Sequence, residues 1–206
     1  MPVSPLKSPD DFHDWDKLSA HCDVLEGLTQ QDREKAKSAF LYLKGTFGRA
    51  FLKRAARAGH PLPSSLRNIA PWTRLWITFL ADTIRNMQLA DPQGVRKIIK
   101  DLRDARRFGD ALAALDVGYA LHNAGLSVSF EPVVQIKGSP KIPDLRIINT
   151  LSGEEFYSEV SNLHRAKSAI KAWRSMDDIT AILTDLPAGV EFSGRLYRTL
   201  SETHLR

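Results

Sequence analysis

From residue 29 to residue 125, hydrophobic positions recur every three or four places, the period of an amphipathic helix. Ala36, Phe40, Leu43, Phe47, Ala50 and Phe51 make one such series. It begins behind Thr29, which forms a capping pattern with Asp32, and the reading is one helix ending at Gly59 with Pro61 beyond it as a stop. Residues 60–70 read as a connector. Pro71 suits the first turn of a second helix, where its missing N–H is harmless. Trp72, Leu75, Trp76, Phe79, Leu80 and Ile84 form the apolar stripe of that helix and read as core. Asp91-Pro92 reads as a cap and first-turn proline of a third helix, with Val95, Ile98, Ile99 and Leu102 inward. The pattern runs on from Phe108 to Asn123 with a kink or break expected near Gly109, and Gly125 supplies the left-handed residue that ends it. Ahead of Thr29, residues 1–27 hold Pro2, Pro5 and Pro9 and read as a loosely tied arm with one short helix around Phe12 to Leu18.

After Gly125 the period falls to two. Leu126 to Gln135 alternates and is rich in branched residues, Asp144 to Asn149 follows the same rule, and Glu155 to Ser161 makes a third strand behind the Ser152-Gly153 turn. Leu163 to about Leu186 returns to helical spacing through Ala166, Ile170, Trp173, Ile179 and Leu183. Pro187-Ala-Gly189 breaks it, and Val190 to Tyr197 reads as a fourth strand. The expected class is a mixed α/β fold with a small sheet, preceded by an all-α region. The organisation read from this is an arm at 1–27, a basic helical region at 28–107 and an α/β core at 108–206. The chain stops at Thr203-His-Leu-Arg206 inside a helix-like pattern, which leaves open a longer parent protein.

Composition is that of an ordinary folded chain, 43% hydrophobic and 26% charged. The longest apolar run, Leu75 to Ala81, is far too short to span a bilayer, so no membrane is expected. The first residues turn acidic where a signal peptide is apolar, and the single cysteine, Cys22, suits a reducing compartment; a cytoplasmic location is expected. Charge is uneven: net −5 over residues 1–32, +11 over 33–110 and −1 over 111–206. The basic middle suits a polyanion, with Lys53, Arg54, Arg103, Arg106 and Arg107 as candidate nucleic-acid contacts. The plainer alternative is that dispersed basic residues simply cover helix surfaces.

Asp144 opens the second strand and Glu159 lies near the end of the third. Paired as a hairpin, the two strands bring these acids near one end of the ladder, where two carboxylates and the Val160 carbonyl suit a hard divalent cation. Such an ion polarises a phosphodiester and acidifies a bound water. His13, His21, Cys22 and His60 lack zinc-ligand spacing. No GxSxG, GxxxxGK[ST] or GxGxxG sequence is present.

Lys141-Ile-Pro-Asp-Leu-Arg-Ile followed by Phe156-Tyr-Ser-Glu-Val-Ser resembles the PD-(D/E)xK nuclease superfamily, over about residues 108–197. The helix ending in His122-Asn-Ala-Gly125 suits the same resemblance. It implies a restriction-endonuclease-like αβββαβ core and a Mg²⁺- or Mn²⁺-dependent nuclease acting on DNA, with Asp144 and Glu159 as metal ligands. It also implies possible pairing into a homodimer, as nucleases of this core often do. Two positions depart from the family pattern. Ser161 stands where the family usually has lysine; Lys167 and Lys171 on the following helix, or Lys137 and Lys141 beside the second strand, are candidate replacements. Ala114 stands where an acid is frequent on the first core helix; Asp110, one turn earlier, is the substitute by geometry or else a helix cap, and Asp116 falls on another face. Two alternatives stay open: a catalytically inactive domain of this kind that binds nucleic acid, and a helical protein-interaction module.

Overall fold

The computed structural model describes residues 5–136 and 139–160. The chain divides into two compact units, 1–162 and 163–206; the second, with Lys167, Lys171, the helix expected from Leu163 and the strand expected from Val190, lies outside the described residues, as do Lys137 and Ser161 of the first.

The first unit starts with a 3-10 turn, Pro9–His13, and helix α1, Trp15–His21, capped by the Asp14 carboxylate. Helix α2 spans Gln30–Phe47, and its N-cap Thr29 accepts from the Asp32 N–H as the capping pattern requires. The single helix expected to run to Gly59 is two, because Gly48 at φ 96 turns the chain before α3, Phe51–Arg57. The expected connector contains α4, Pro61–Arg67, capped by His60, whose Nδ1 accepts from the Leu62 N–H.

Helix α5, Pro71–Ala90, buries Thr73, Arg74, Ile77, Leu80, Ala81, Ile84 and Met87 against α2 and its neighbours. This corrects the expected stripe: Trp72, Leu75 and Phe79 point to solvent, Trp76 is half-buried, and only Leu80 and Ile84 are core. The helix is apolar on both sides, so the period alone could not say which side faces inward. Asp91, left-handed at φ 42, ends α5 and does not start the next helix. That helix, α6, Val95–Asp101, begins behind Gly94. The chain breaks at 102–107, just ahead of Gly109, and resumes as α7, Phe108–Asn123, with left-handed Gly125 after it.

Strands β1 (Ser127–Phe130), β4 (Leu145–Ile148) and β5 (Glu155–Ser158) form an antiparallel sheet in the order β1-β4-β5. The strand expected over 126–135 is two pieces. Glu131 takes a left-handed φ of 45 before Pro132, which ends β1. The chain resumes as β2, Val134–Ile136, and pairs only with β3, Ser139–Lys141. Mixed α/β architecture is therefore present, with five strands where the sequence pattern over 126–161 suggested three.

Register pairs Val128 with Ile147 and Phe130 with Leu145, so one apolar face looks toward α7. Val128, Phe130 and Leu145 are buried there with Ala111, Ala114 and Leu115, in a hydrophobic core continuous with Trp15, Phe40 and Leu52. Full burial of such a side chain contributes about 1.5–3 kcal/mol. Close approach of α7 to the sheet needs Gly118, because a Cβ there would lie 2.6 Å from Cζ of Phe130.

Candidate functional site

Where α6, α7 and the sheet meet, a cleft of about 330 Å³ opens. Asp144 lines it from the residue before β4, and Asp110, Ala111 and Ala114 line it from the first turns of α7. Lys97, Ile98 and Asp101 come from α6, Arg107 from the residue before α7, and Glu131 and Ile142 complete the wall.

Three strand ends hold Asp144. Its carbonyl accepts from the Glu131 N–H at 2.9 Å, and its carboxylate Oδ2 accepts from the Val160 N–H at 2.6 Å. Register pairs Leu145 with Ser158, and one further step of the same count sets Asp144 opposite Glu159. Glu159 itself is exposed and is not among the residues that line the cleft. Val160 meets Asp144 through its N–H; the expected role of its carbonyl has no counterpart in the described contacts.

The cleft carries four carboxylates and two cations. Lys97 pairs with Glu131 and, at 3.5 Å, with Asp101; Arg107 donates to Asp101 at 2.8 Å. These contacts tie α6 to the end of β1 and to the start of α7. Glu131 reaches its position through a left-handed backbone, which costs a non-glycine residue on the order of 1 kcal/mol. Asp110 lies in the first turn of α7, which carries no side-chain cap, so the alternative of Asp110 as N-cap does not hold: Arg107 has that position. Asp116 faces elsewhere; burial raises its pKa, and its Oδ1 has no hydrogen-bond partner among the described residues.

Strand spacing marked Asp144, the family resemblance pointed to Asp110 and Ala114, and neither pointed to Lys97, Asp101 or Glu131. No local motif marks these three; they are neighbours only because α6 docks beside the end of β1.

Oxygen donors of this kind suit Mg²⁺ or Mn²⁺, and Mg²⁺ is commonly held by one or two carboxylates with several waters. Among the described residues, no group of three or more His, Cys, Asp or Glu side chains is arranged to hold a metal ion.

The basic candidates cluster on adjacent segments. Lys53 and Arg54 are exposed on α3, and Arg103, Arg106 and Arg107 are exposed between α6 and α7. His60 joins the two segments, with its ring 5.2 Å from Phe51 and 4.7 Å from Phe108. Its Nε2 lies 3.0 Å from the Leu102 carbonyl, and Arg103 donates to the Thr46 carbonyl. His21 and Cys22 are buried, and burial pushes the Cys22 thiol up to about 11, which leaves it an inert core group. Among the described residues no helix is long and apolar enough to cross a membrane. No family model, curated protein or solved structure matches the chain.

Proposed function

We propose that the protein is a divalent-metal-dependent nuclease that hydrolyses DNA phosphodiesters at the cleft beside Asp144. The observation that carries this reading is the β4–β5 register, which continues to Asp144 and Glu159, with Asp144 fixed by the Val160 N–H. Asp144 and Glu159 would hold Mg²⁺ or Mn²⁺, with Asp110 a further acid on the cleft wall. The bound ion supplies a polarised phosphoryl oxygen and an acidified water. Lys53, Arg54, Arg103 and Arg106 offer exposed positive charge for backbone phosphates, whereas the Arg107 charge is partly offset by Asp101. Lys167 and Lys171 remain the proposed substitutes for the family lysine replaced by Ser161.

A second reading has its own support. Ala114 lies in the cleft wall at the position where the resembling family often has an acid, and Asp101 and Glu131 already pair with Lys97 and Arg107. Both features suit a domain that binds nucleic acid without cutting it.

The deciding experiment incubates the full chain with single- and double-stranded DNA in Mg²⁺ or Mn²⁺, against an EDTA control and the Asp144→Ala variant. Metal-dependent cleavage lost in the variant supports the nuclease. DNA binding in a mobility-shift assay, unaffected by EDTA and without cleavage, supports the second reading. Neither binding nor cleavage overturns both.

A further inference from the structure

Between Glu34 and Asp82 the chain carries nine Lys and Arg residues and no Asp or Glu. Ordinary surfaces intersperse both signs, so a one-sign stretch of this length calls for a reason. Lys37 pairs with Asp23, Lys44 pairs with Asp16, and Arg74 is buried. Lys35 sits in the first half of α2. The other five, Arg49, Lys53, Arg54, Arg57 and Arg67, are exposed, and none enters a salt bridge among the described residues.

These five lie on adjoining elements. Gly48 turns the chain so that Arg49 leads into α3, where Lys53, Arg54 and Arg57 follow at spacings of three and four on the solvent side. Helix α4, with Arg67 in its last turn, packs against α3, and the turn Pro9–His13 packs against both. The His13 ring is near enough to both helices that, after burial, the charges of Arg67 and Lys53 lower its pKa, with Asp10 pulling the other way. Lys53 and Arg57, one helical turn apart, repel each other, a cost that an anionic partner removes.

We propose that this surface, made by Arg49, α3 and α4, docks the phosphodiester backbone of a nucleic-acid duplex without reading its bases. It shares Lys53 and Arg54 with the reading above but rests on neither the metal nor the cleft, since none of the five residues lines that cleft. From Arg49 to Arg67 the large apolar side chains Phe51, Leu52, Leu62 and Leu66 are all buried. A membrane-surface helix sets apolar residues beside its cations, and a single-strand groove offers aromatic faces to unstacked bases. This face has neither. Four of its five cations are arginines, whose planar fork matches phosphate, and a duplex presents one such charge per about 1.7 Å of axis.

Fluorescence anisotropy of the full chain in EDTA, which halts metal-dependent cleavage, tests this on two DNA duplexes of unrelated sequence and about 20 base pairs, between about 50 and 200 mM KCl. An RNA duplex, a single strand of equal length and phosphatidylserine–phosphatidylcholine vesicles serve as the other probes; whichever duplex binds more tightly identifies the source of the backbone. Five phosphate contacts give a slope of about −4.5 in log K against log salt, a roughly 500-fold loss over that range, equal for both DNA sequences. Arg57→Ser and Arg67→Ser each weaken binding about 5–10-fold and reduce the slope by about 1, with unchanged circular dichroism. Lys35→Ser, about 20 Å from Gly48 along α2, leaves the slope as it is. No duplex binding at about 100 μM protein in the lowest salt overturns the proposal, as does a slope indifferent to both variants. Tighter binding to the single strand or to the vesicles also overturns it. Metal-dependent cleavage lost in Asp144→Ala, beside DNA affinity that ignores Arg57→Ser and Arg67→Ser, sinks this surface and keeps the nuclease. The expected slopes in a chain that never cuts keep the surface and sink the nuclease.

Discussion

The Val160 N–H donates to Oδ2 of Asp144 at 2.6 Å, so the residue that follows β5 by two positions anchors the carboxylate that precedes β4. One side chain thus has two separable properties: an acceptor that closes the end of the sheet, and a negative charge facing the cleft.

Asp144→Asn keeps an acceptor oxygen for Val160 and removes the charge. Under the nuclease reading it abolishes metal-dependent cleavage while stability changes by less than about 1 kcal/mol. Asp144→Ala removes both, leaves the part-buried Val160 N–H unpaired, and costs about 1–2 kcal/mol more in urea unfolding. Full cleavage by Asp144→Asn would remove Asp144 from any metal site.

Gly118 sets the distance between α7 and the sheet. Alanine in a helix interior ordinarily gains about 1 kcal/mol over glycine. Here the new methyl would meet the ring of Phe130, which is 1% exposed and whose backbone N–H is held by the Gln93 carbonyl at 2.7 Å. Overpacking of that kind costs about 1–3 kcal/mol and outweighs the helical gain. Gly118→Ala is therefore destabilising by thermal melting, and it becomes less so in a Phe130→Leu background. An equal penalty in both backgrounds would mean that the ring is not what opposes the methyl.

How much of this was legible in the sequence varies with what each residue faces. Helices with one apolar side, such as α2 after Thr29, followed their period. The break at Gly48 did not show, because Phe47 and Phe51 keep the same spacing on either side of it, their rings stacked at 4.9 Å. Trp72, Leu75 and Phe79 were assigned to the core because α5 has two apolar sides, and only the position of α2 decides between them. Alternation over 126–135 hid the turn at Glu131, where backbone conformation overrides side-chain pattern. At the cleft, Asp144 could be marked by counting along the strands, whereas Asp110 was reached only through the family resemblance. Lys97, Asp101 and Glu131 could be reached by neither route, since their proximity is a tertiary fact with no local spacing behind it.

Arg74 places a guanidinium in the core with no hydrogen-bond partner among the described residues. It is fully buried, and its group sits 5.5 Å from the Phe40 ring centre. Burial lowers its pKa, the direction expected when desolvation is the largest influence. Attraction to the Phe40 face offsets part of that cost, by about 2 kcal/mol when desolvated. Methionine of similar length fills the same space with no charge to desolvate, and replacement of buried charge by apolar side chains commonly stabilises by about 1–4 kcal/mol. Arg74→Met is expected to raise the melting temperature. A fall instead would show that the guanidinium has a partner in solution.

His60 makes stability depend on pH. It is 1% exposed, its Nδ1 accepts from the Leu62 N–H, and its Nε2 donates to the Leu102 carbonyl in the tautomer this requires. Burial holds its pKa below the ordinary 6.5, against the opposing pull of the Leu102 carbonyl and Asp104. Protonation would also destroy the Nδ1 acceptor that caps α4. The folded protein therefore resists the proton that the unfolded chain accepts, so stability from the neutral ring is present above about pH 6.5 and is lost as pH falls through the lower folded value. His13 and His21, both also lowered chiefly by burial, add to the same slope. His60→Asn keeps an oxygen to cap α4 and loses the ring contacts with Phe51 and Phe108. The variant melts below the wild type near pH 8, and the gap narrows toward about pH 5 because asparagine takes no proton. Melting temperatures of both proteins across that range check this; a gap that stays constant would mean that His60 does not titrate with unfolding.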